Sequence, residues 1–385
     1  MAASFATPPE MRVLLINYEL PPLGAGAGNA TANIARHLAA GGDDVLVLTS
    51  GFRGLRREEQ VDGYRVRRVR TLRRRVDRST VAEMVSFIVG AIAPAIGEAR
   101  RFRPEVTCSF FGLPSGPLAL LLERLLGIPY LVSLRGGDVP GFLPGDLAAF
   151  HRVTGPVIRS IWRHSRGLIA NGEGLATLAH QSLPEVDVRV IENGVDCDLF
   201  RPPDRERPDR PMRLLLVGRL VRQKAFGDVL TAVSKVRAPV VLRLVGDGPD
   251  RSALAELVRR LGLEASVEFV GWAPREELPG HYQWADVFVL PSLEEGVSNA
   301  VLEAMAAGLP IVTTDVAGNR DLVGQENGTL VQPGDVAAIR SAIDELAEDG
   351  AGLRRRAAAS RDRALGRRWE TAAQAYRDAL AAALP

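Results

Sequence analysis

The chain has 385 residues, 46% of them hydrophobic and 24% charged, with a formal net charge of +2 and two cysteines. That length suits two domains of ordinary size, each with its own core, and the nearly balanced charge argues against wholesale nucleic-acid binding. Cys108 and Cys197 cannot make a disulfide framework and lack the spacing of a metal site; no window approaches the roughly 18 uncharged apolar residues of a membrane span, and the start of the chain lacks a signal-peptide pattern, so a cytoplasmic location is expected.

Residues 1–10 read as a disordered lead. Met11 to Tyr18 is a near-continuous apolar run, Asn29 to Ala40 has helical periodicity, and Val45 to Thr49 is a second strand. Further strand candidates begin near Tyr64, Val106, Tyr130, Gly167 and Val188, mostly with helical patterns between them, which predicts a parallel sheet covered on both faces. Residues 53–78 hold eleven arginines against four acids, and the apolar, helical Thr80 to Gly97 follows, closed by Arg100, Arg101 and Arg103. Such a pairing can sit on an anionic membrane surface. The other reading is a solvated loop beside a helix packed on its own domain.

Phe200 to Pro211 has four prolines among charges and reads as a linker. The alternation then restarts with Met212 to Val217, Pro239 to Val245, Val267 to Val270, Val287 to Leu290, Pro310 to Thr313 and Thr329 to Val331. Two Rossmann-like domains are expected, 11–199 and 212–366, and Trp369 to Leu384 reads as a terminal helix. In open parallel sheets ligands bind outside the carboxyl ends of the strands, so both domains can offer loops to one cleft.

Three segments carry candidate chemistry. Gly24-Ala-Gly26-Ala-Gly28 lies between the first strand and the first helix and allows close approach of a ligand to the backbone. It is no dinucleotide fingerprint, since Asn29 stands where the third glycine belongs and no ribose-binding acid follows the second strand. Gly218-Arg219 to Lys224 leaves the first strand of the second domain with two cations five residues apart, a planar fork and a point charge suited to a diphosphate. Finally, strand 287–290 leads through Glu295, Gly296 and Val297 to Ser298 and Asn299, good N-cap residues for a helix running to about Ala307. The positive end of that helix attracts anions, and the flanking carboxylates Glu295 and Glu303 suit sugar or ribose hydroxyls.

At Glu295 and Glu303 the chain resembles the Glu-x7-Glu signature of glycosyltransferase family 4, whose members are retaining enzymes with two facing Rossmann-like domains, the GT-B fold. The resemblance implies that Glu295 lies near the donor sugar and Glu303 binds the ribose of a sugar nucleotide. It implies too that Arg219 and Lys224 hold the donor diphosphate beside Gly218 and the 296–299 loop, and that the Gly24, Gly26, Gly28 loop lies in the cleft near diphosphate and acceptor. Glu192 to Pro202, Gly246 to Pro249 and, loosely, Thr314 to Asp321 also agree with the family, so the resemblance covers nearly the whole chain. It further implies that helix 369–384 crosses back onto the N-terminal domain. One departure is Arg135-Gly136-Gly137-Asp138, where many members carry His-Gly-x-Asp, which leaves the acceptor side and donor choice open. Asp196-Cys197-Asp198 has the spacing of metal-dependent glycosyltransferases but sits at the hinge, and no metal site is expected there.

The implied function is metal-independent, cofactor-free transfer of a sugar, with retained configuration, from a nucleotide-diphosphate donor to a hydroxyl acceptor that could be a glycan, a lipid-linked sugar or a small molecule. Peripheral membrane association is an open expectation. A sugar-nucleotide epimerase, a phosphorylase and a non-catalytic nucleotide-sugar binding protein remain alternatives.

Overall fold

The computed structural model describes residues 11–385 except 25, 77, 78, 143 and 204–210, so the expected lead 1–10 and most of the expected linker 200–211 lie outside the described residues. In chain order the elements are β1 (Arg12–Ile16), α1 (Gly26–Ala40), β2 (Asp44–Ser50), β3 (Glu58–Val61), β4 (Tyr64–Val69), α2 (Val81–Phe102), β5 (Val106–Phe110), α3 (Gly116–Leu126), β6 (Tyr130–Ser133), α4 (Pro144–His164), β7 (Leu168–Ala170), α5 (Glu173–Ser182) and β8 (Val188–Val190). Then come β9 (Met212–Val217), α6 (Phe226–Val233), β10 (Val240–Val245), α7 (Arg251–Arg260), β11 (Val267–Gly271), α8 (Leu278–Trp284), β12 (Val287–Leu290), α9 (Asn299–Ala306), β13 (Ile311–Thr314), α10 (Ala317–Arg320), β14 (Gly328–Val331), α11 (Val336–Glu348), α12 (Gly350–Leu365) and α13 (Trp369–Ala382). The described residues form two compact units, one of 11–193 with 369–385 and the other within Gly194–Arg368.

The first unit is built on a sheet of order β3-β4-β2-β1-β5-β6-β7-β8. Its strands pair in parallel, save for β3 on β4. Near-continuous apolar runs such as Val13 to Ile16 are buried on both faces because helices cover both. The order reverses between β1 and β5. Helix α13 belongs to this unit: Trp369 and Tyr376 are buried in its core, Tyr376 stacks on Phe110 at 6.2 Å, and Arg377 donates to both oxygens of Asp43 at 2.8 and 3.0 Å.

Sequence periodicity differs from the structure here in three ways. Helix α1 starts at Gly26, not Asn29, so Gly26 and Gly28 lie in its first turn. The strand expected near Tyr64 has an unexpected antiparallel partner in the arginine-rich stretch: β3 and β4 form an edge hairpin around Asp62 and Gly63, both at positive φ. That hairpin engages Arg65 with Asp44, Arg67 with Glu58 and Arg68 with Glu59. Helix α2, started by a capping box between Thr80 and Glu83, contains an 18-residue stretch of mean hydropathy 1.5, long and apolar enough for a membrane span by length and composition. The expectation that no window approaches this was incorrect. Charges at its two ends hide an uncharged middle, Met84 to Gly97.

The second unit has the order β11-β10-β9-β12-β13-β14, all pairs parallel. This is the doubly wound order whose crevice lies where the winding reverses, between β9 and β12 at their carboxyl ends. Phe200 is buried in this unit and meets Tyr282 edge-on at 5.5 Å.

Candidate functional site

In the second unit the loops at the carboxyl ends of β9, β10, β12 and β13 interlock. Leu220 donates its N–H to Asp247 and Asp250 to Leu220, and Leu293 donates to Gln223 at 2.8 Å. A Cβ on Gly246 would come within 1.9 Å of the Gly218 carbonyl oxygen, and one on Gly318 within 1.2 Å of that of Gly296. Only glycine lets these loops lie so close.

At the reversal point the Lys224 ammonium binds the Glu295 carboxylate, which also accepts from the Ser292 hydroxyl at 2.7 Å. The Gln223 amide donates to the Glu294 carbonyl at 2.8 Å. Both members of the ion pair are largely buried, with 18% and 9% of their side-chain surfaces exposed. Pairing makes the two charges locally neutral. Arg219 and, three residues on, Arg222 are exposed, and neither side chain makes a hydrogen bond or ion pair with a described residue. A net positive field remains from Arg219 and the start of α9, where Ser298 accepts the Val301 N–H. Val297 is buried in the core, so it can offer a ligand only its backbone.

Glu303 lies one and a half turns into α9 and is buried. It accepts from the Tyr282 hydroxyl at 2.9 Å and from Arg275 at 3.2 Å. Burial pushes its carboxyl above the ordinary 4.5, against the pull of Arg275 and the Tyr282 hydroxyl. Burial, with Glu303 next, raises the Tyr282 phenol well above its usual value. Glu295 and Glu303 thus have different surroundings, one paired to a lysine and the other held part-desolvated. Arg275, Tyr282 and the exposed Trp272, just past the end of β11, were missed by sequence reading. The spacing along the chain gives no sign that α8 packs on Glu303.

In the first unit, Asp138 is buried and accepts the N–H groups of Gly112 at 2.8 Å and Arg135 at 2.9 Å. It therefore ties the loop after β5, where Phe111 is held at positive φ, to the loop after β6. Burial raises its carboxyl above the ordinary carboxylate range, opposed by those N–H donors. Arg135 extends over the Phe110 ring and donates to Asn193 at 2.8 Å and to the Tyr376 hydroxyl at 2.9 Å. It is an anchored side chain, and Gly136 beside it has φ +113°. The Gly24, Gly26, Gly28 segment leaves β1 at this sheet's own reversal point, with the Gly24 N–H bonded to the Val76 carbonyl at 2.8 Å. Asp196 receives the N–H groups of Asp198 and Leu199, and Asp198 pairs with Arg368. Those are turn and surface contacts.

Comparison with known proteins agrees with this architecture. Residues 25–194 match the glycosyl transferase 4-like domain, and residues 211–349 match glycosyl transferases group 1. The chain is 31% identical over 367 residues to the 2-deoxystreptamine N-acetyl-D-glucosaminyltransferase of Streptomyces fradiae, spanning 87% of this chain and 85% of that one. In fold it is similar to sucrose-phosphate synthase from Thermosynechococcus elongatus, with a TM-score of 0.86 and 23% identity over 97% of this chain and all of the other. It is similar also to HepE of Anabaena in complex with UDP-glucose, with a TM-score of 0.76 and 18% identity over 97% of this chain and all of that one. With both units matched and their loops gathered at the carboxyl ends of doubly wound sheets, the chain belongs to glycosyltransferase family 4 and is a glycosyltransferase of the GT-B fold.

Proposed function

We propose that the second unit binds a nucleotide-diphosphate sugar and that the enzyme transfers the sugar to a hydroxyl acceptor with retention of configuration and without a metal. The observation that carries this reading is the Lys224–Glu295 pair at the reversal point of the sheet, with Arg219 unpaired among the described residues beside it. A bound diphosphate would meet Arg219, the Lys224 ammonium and the positive end of α9. Glu303 would accept the ribose hydroxyls, and Trp272 offers a flat apolar surface on which a base can stack. The complex of HepE with UDP-glucose supports a donor of this class. Arg219 and Lys224 supply a planar fork and a point charge, the two kinds of cation that suit a diphosphate.

The step is a front-face substitution. The acceptor oxygen bonds to the anomeric carbon on the face from which the diphosphate leaves, the carbon–oxygen bond to phosphate breaks, and the hydroxyl proton passes to the departing phosphate oxygen. Products are the glycoside and the nucleoside diphosphate. Charge grows on the leaving oxygen as the bond breaks, so cations there lower the barrier. Glu295 positions Lys224 and lies toward the sugar.

A thermal-shift panel of UDP-, GDP- and ADP-sugars tests the donor class. A ligand at about 100 times its dissociation constant stabilises the fold by roughly 2.7 kcal/mol, and one base is expected to stand out. No shift with any of them, at concentrations up to several millimolar, would set the reading aside.

A further inference from the structure

Helix α2 presents two apolar faces. One carries Phe87, Ala91, Ala95 and Ala99 into the core of the first unit. The other is open: Val81 is 61% exposed, Val85 51%, Val89 66% and Ile92 40%. At 3.6 residues per turn these four positions fall on one stripe, and no charged residue interrupts the helix from Met84 to Gly97. The segment before the helix runs back along it. The Leu72 N–H donates to the Ser86 hydroxyl at 3.0 Å, the Arg74 N–H donates to Glu83 at 2.9 Å, and a Cβ on Gly90 would lie 2.5 Å from the Arg70 carbonyl oxygen. These contacts lay residues 70–74 along the flank of the helix at Glu83, Ser86 and Gly90, where Leu72 is 68% exposed. Arg70 and Arg74 alternate with it and are exposed. Their side chains make no ion pair or hydrogen bond with a described residue, and the same holds for exposed Arg100 near the helix end.

We propose that this face docks on an anionic lipid bilayer, with Leu72, Val81, Val85, Val89 and Ile92 entering the headgroup–acyl boundary and Arg70, Arg74 and Arg100 meeting lipid phosphates. Although α2 is long enough to span a membrane, its opposite face is committed to the core, and withdrawing Phe87 and its neighbours would dismantle that core. The helix therefore lies in the plane of the interface. Charge selects the occupant. The only acid in the helix before Glu98, Glu83, is turned inward and bonded to Thr80 and Arg74. A two-fold pairing with a second copy would set the same cations against one another with no acid of the stripe to answer them, whereas an anionic surface answers all three. This docking is independent of the donor assignment.

The test is co-flotation of the full chain with vesicles of phosphatidylcholine alone and of phosphatidylcholine with phosphatidylglycerol, at low and at high salt. Flotation is expected with the anionic vesicles at low salt, and loss of it with neutral vesicles or high salt. Arg70→Glu with Arg74→Glu should weaken partitioning by about five-fold or more for each arginine, and Val89→Asp should abolish it. All three positions are exposed, so circular dichroism should be unchanged. Absence of flotation at low salt overturns the proposal. So does flotation that neither variant alters. A dimer in analytical ultracentrifugation that Val89→Asp dissociates, without vesicle binding, would identify a second copy as the occupant and equally overturn it.

Discussion

Lys224, at the end of the loop that leaves β9, holds the Glu295 carboxylate of the loop that leaves β12, and these strands are neighbours where the sheet reverses its order. The pair brings together two residues 71 positions apart, while Arg219 and Arg222 of the same loop are exposed and their side chains have no partner among the described residues. If Glu295 positions the lysine, Glu295→Gln keeps the shape but frees the ammonium. Turnover should fall at least about ten-fold, or about 1.4 kcal/mol, while nucleoside diphosphate binding is unweakened, since the anion no longer competes with a carboxylate. Calorimetric titration of the product together with steady-state kinetics separates the two; weaker product binding with unchanged turnover would contradict this role.

Glu303 gives a pH dependence with a definite sign. Burial raises its carboxyl in the folded chain above 4.5, so its contribution to stability is fully present below the unfolded value and declines as pH rises through the folded value. Glu303→Gln should therefore gain melting temperature relative to wild type as pH rises above 4.5, while the donor Michaelis constant rises for loss of an ionised acceptor. Tyr282→Phe removes a hydrogen bond that favours the ionised form, so the acid limb of the donor Michaelis constant should move to higher pH. Parallel melting curves for Glu303→Gln and wild type across that range would count against it.

How much of this was legible in the chain follows from how local each feature is. The strands of the second unit were readable because buried parallel strands are near-continuous apolar runs: Met212–Val217 and Val287–Leu290 have the bounds read from sequence. Glu295, Arg219 and Lys224 were readable as candidates because each stands between a strand end and a helix start, and Glu303 because of its spacing from Glu295. Their partners were not, since Tyr282 and Arg275 reach Glu303 only through the packing of α8 on α9. The edge hairpin had a signal, Asp62-Gly63, that the surrounding arginines obscured. For α2, periodicity shows an apolar helix but cannot say which face the core covers.

Arg135 is expected to act in stability and placement. It joins Asn193, Tyr376 and the Phe110 ring, and Arg135→Ala would strip charged hydrogen bonds of about 1.5–3 kcal/mol each. Chemical denaturation should show a loss of at least about 2 kcal/mol, with Arg135→Lys recovering only part because one ammonium lacks the planar fork that serves both partners. An unchanged midpoint with lost activity would instead mark Arg135 as a substrate-binding group.

Asp43 and Arg377 fasten α13 to the first unit, with 0% and 9% of their side chains exposed. Removing one partner of such a pair leaves a buried charge and typically costs about 3–5 kcal/mol. Asp43→Ala should therefore expose the last helix to proteolysis near Arg377 under conditions in which wild type is resistant. Equal resistance in the two proteins would show that the apolar contacts of Trp369 and Tyr376 suffice.

The central claim is that Arg219 and Lys224 carry the charge of a departing diphosphate. The direct measurement is steady-state sugar transfer by Arg219→Ala, Lys224→Ala and Arg219→Lys, each shown to be folded by circular dichroism. Loss of one preorganised donor of this kind lowers turnover by about 10²–10³, or roughly 2.7–4 kcal/mol, and Arg219→Lys should be impaired as well because it lacks the planar fork. Folded alanine variants that turn over at near wild-type rates would place the diphosphate elsewhere and contradict the account.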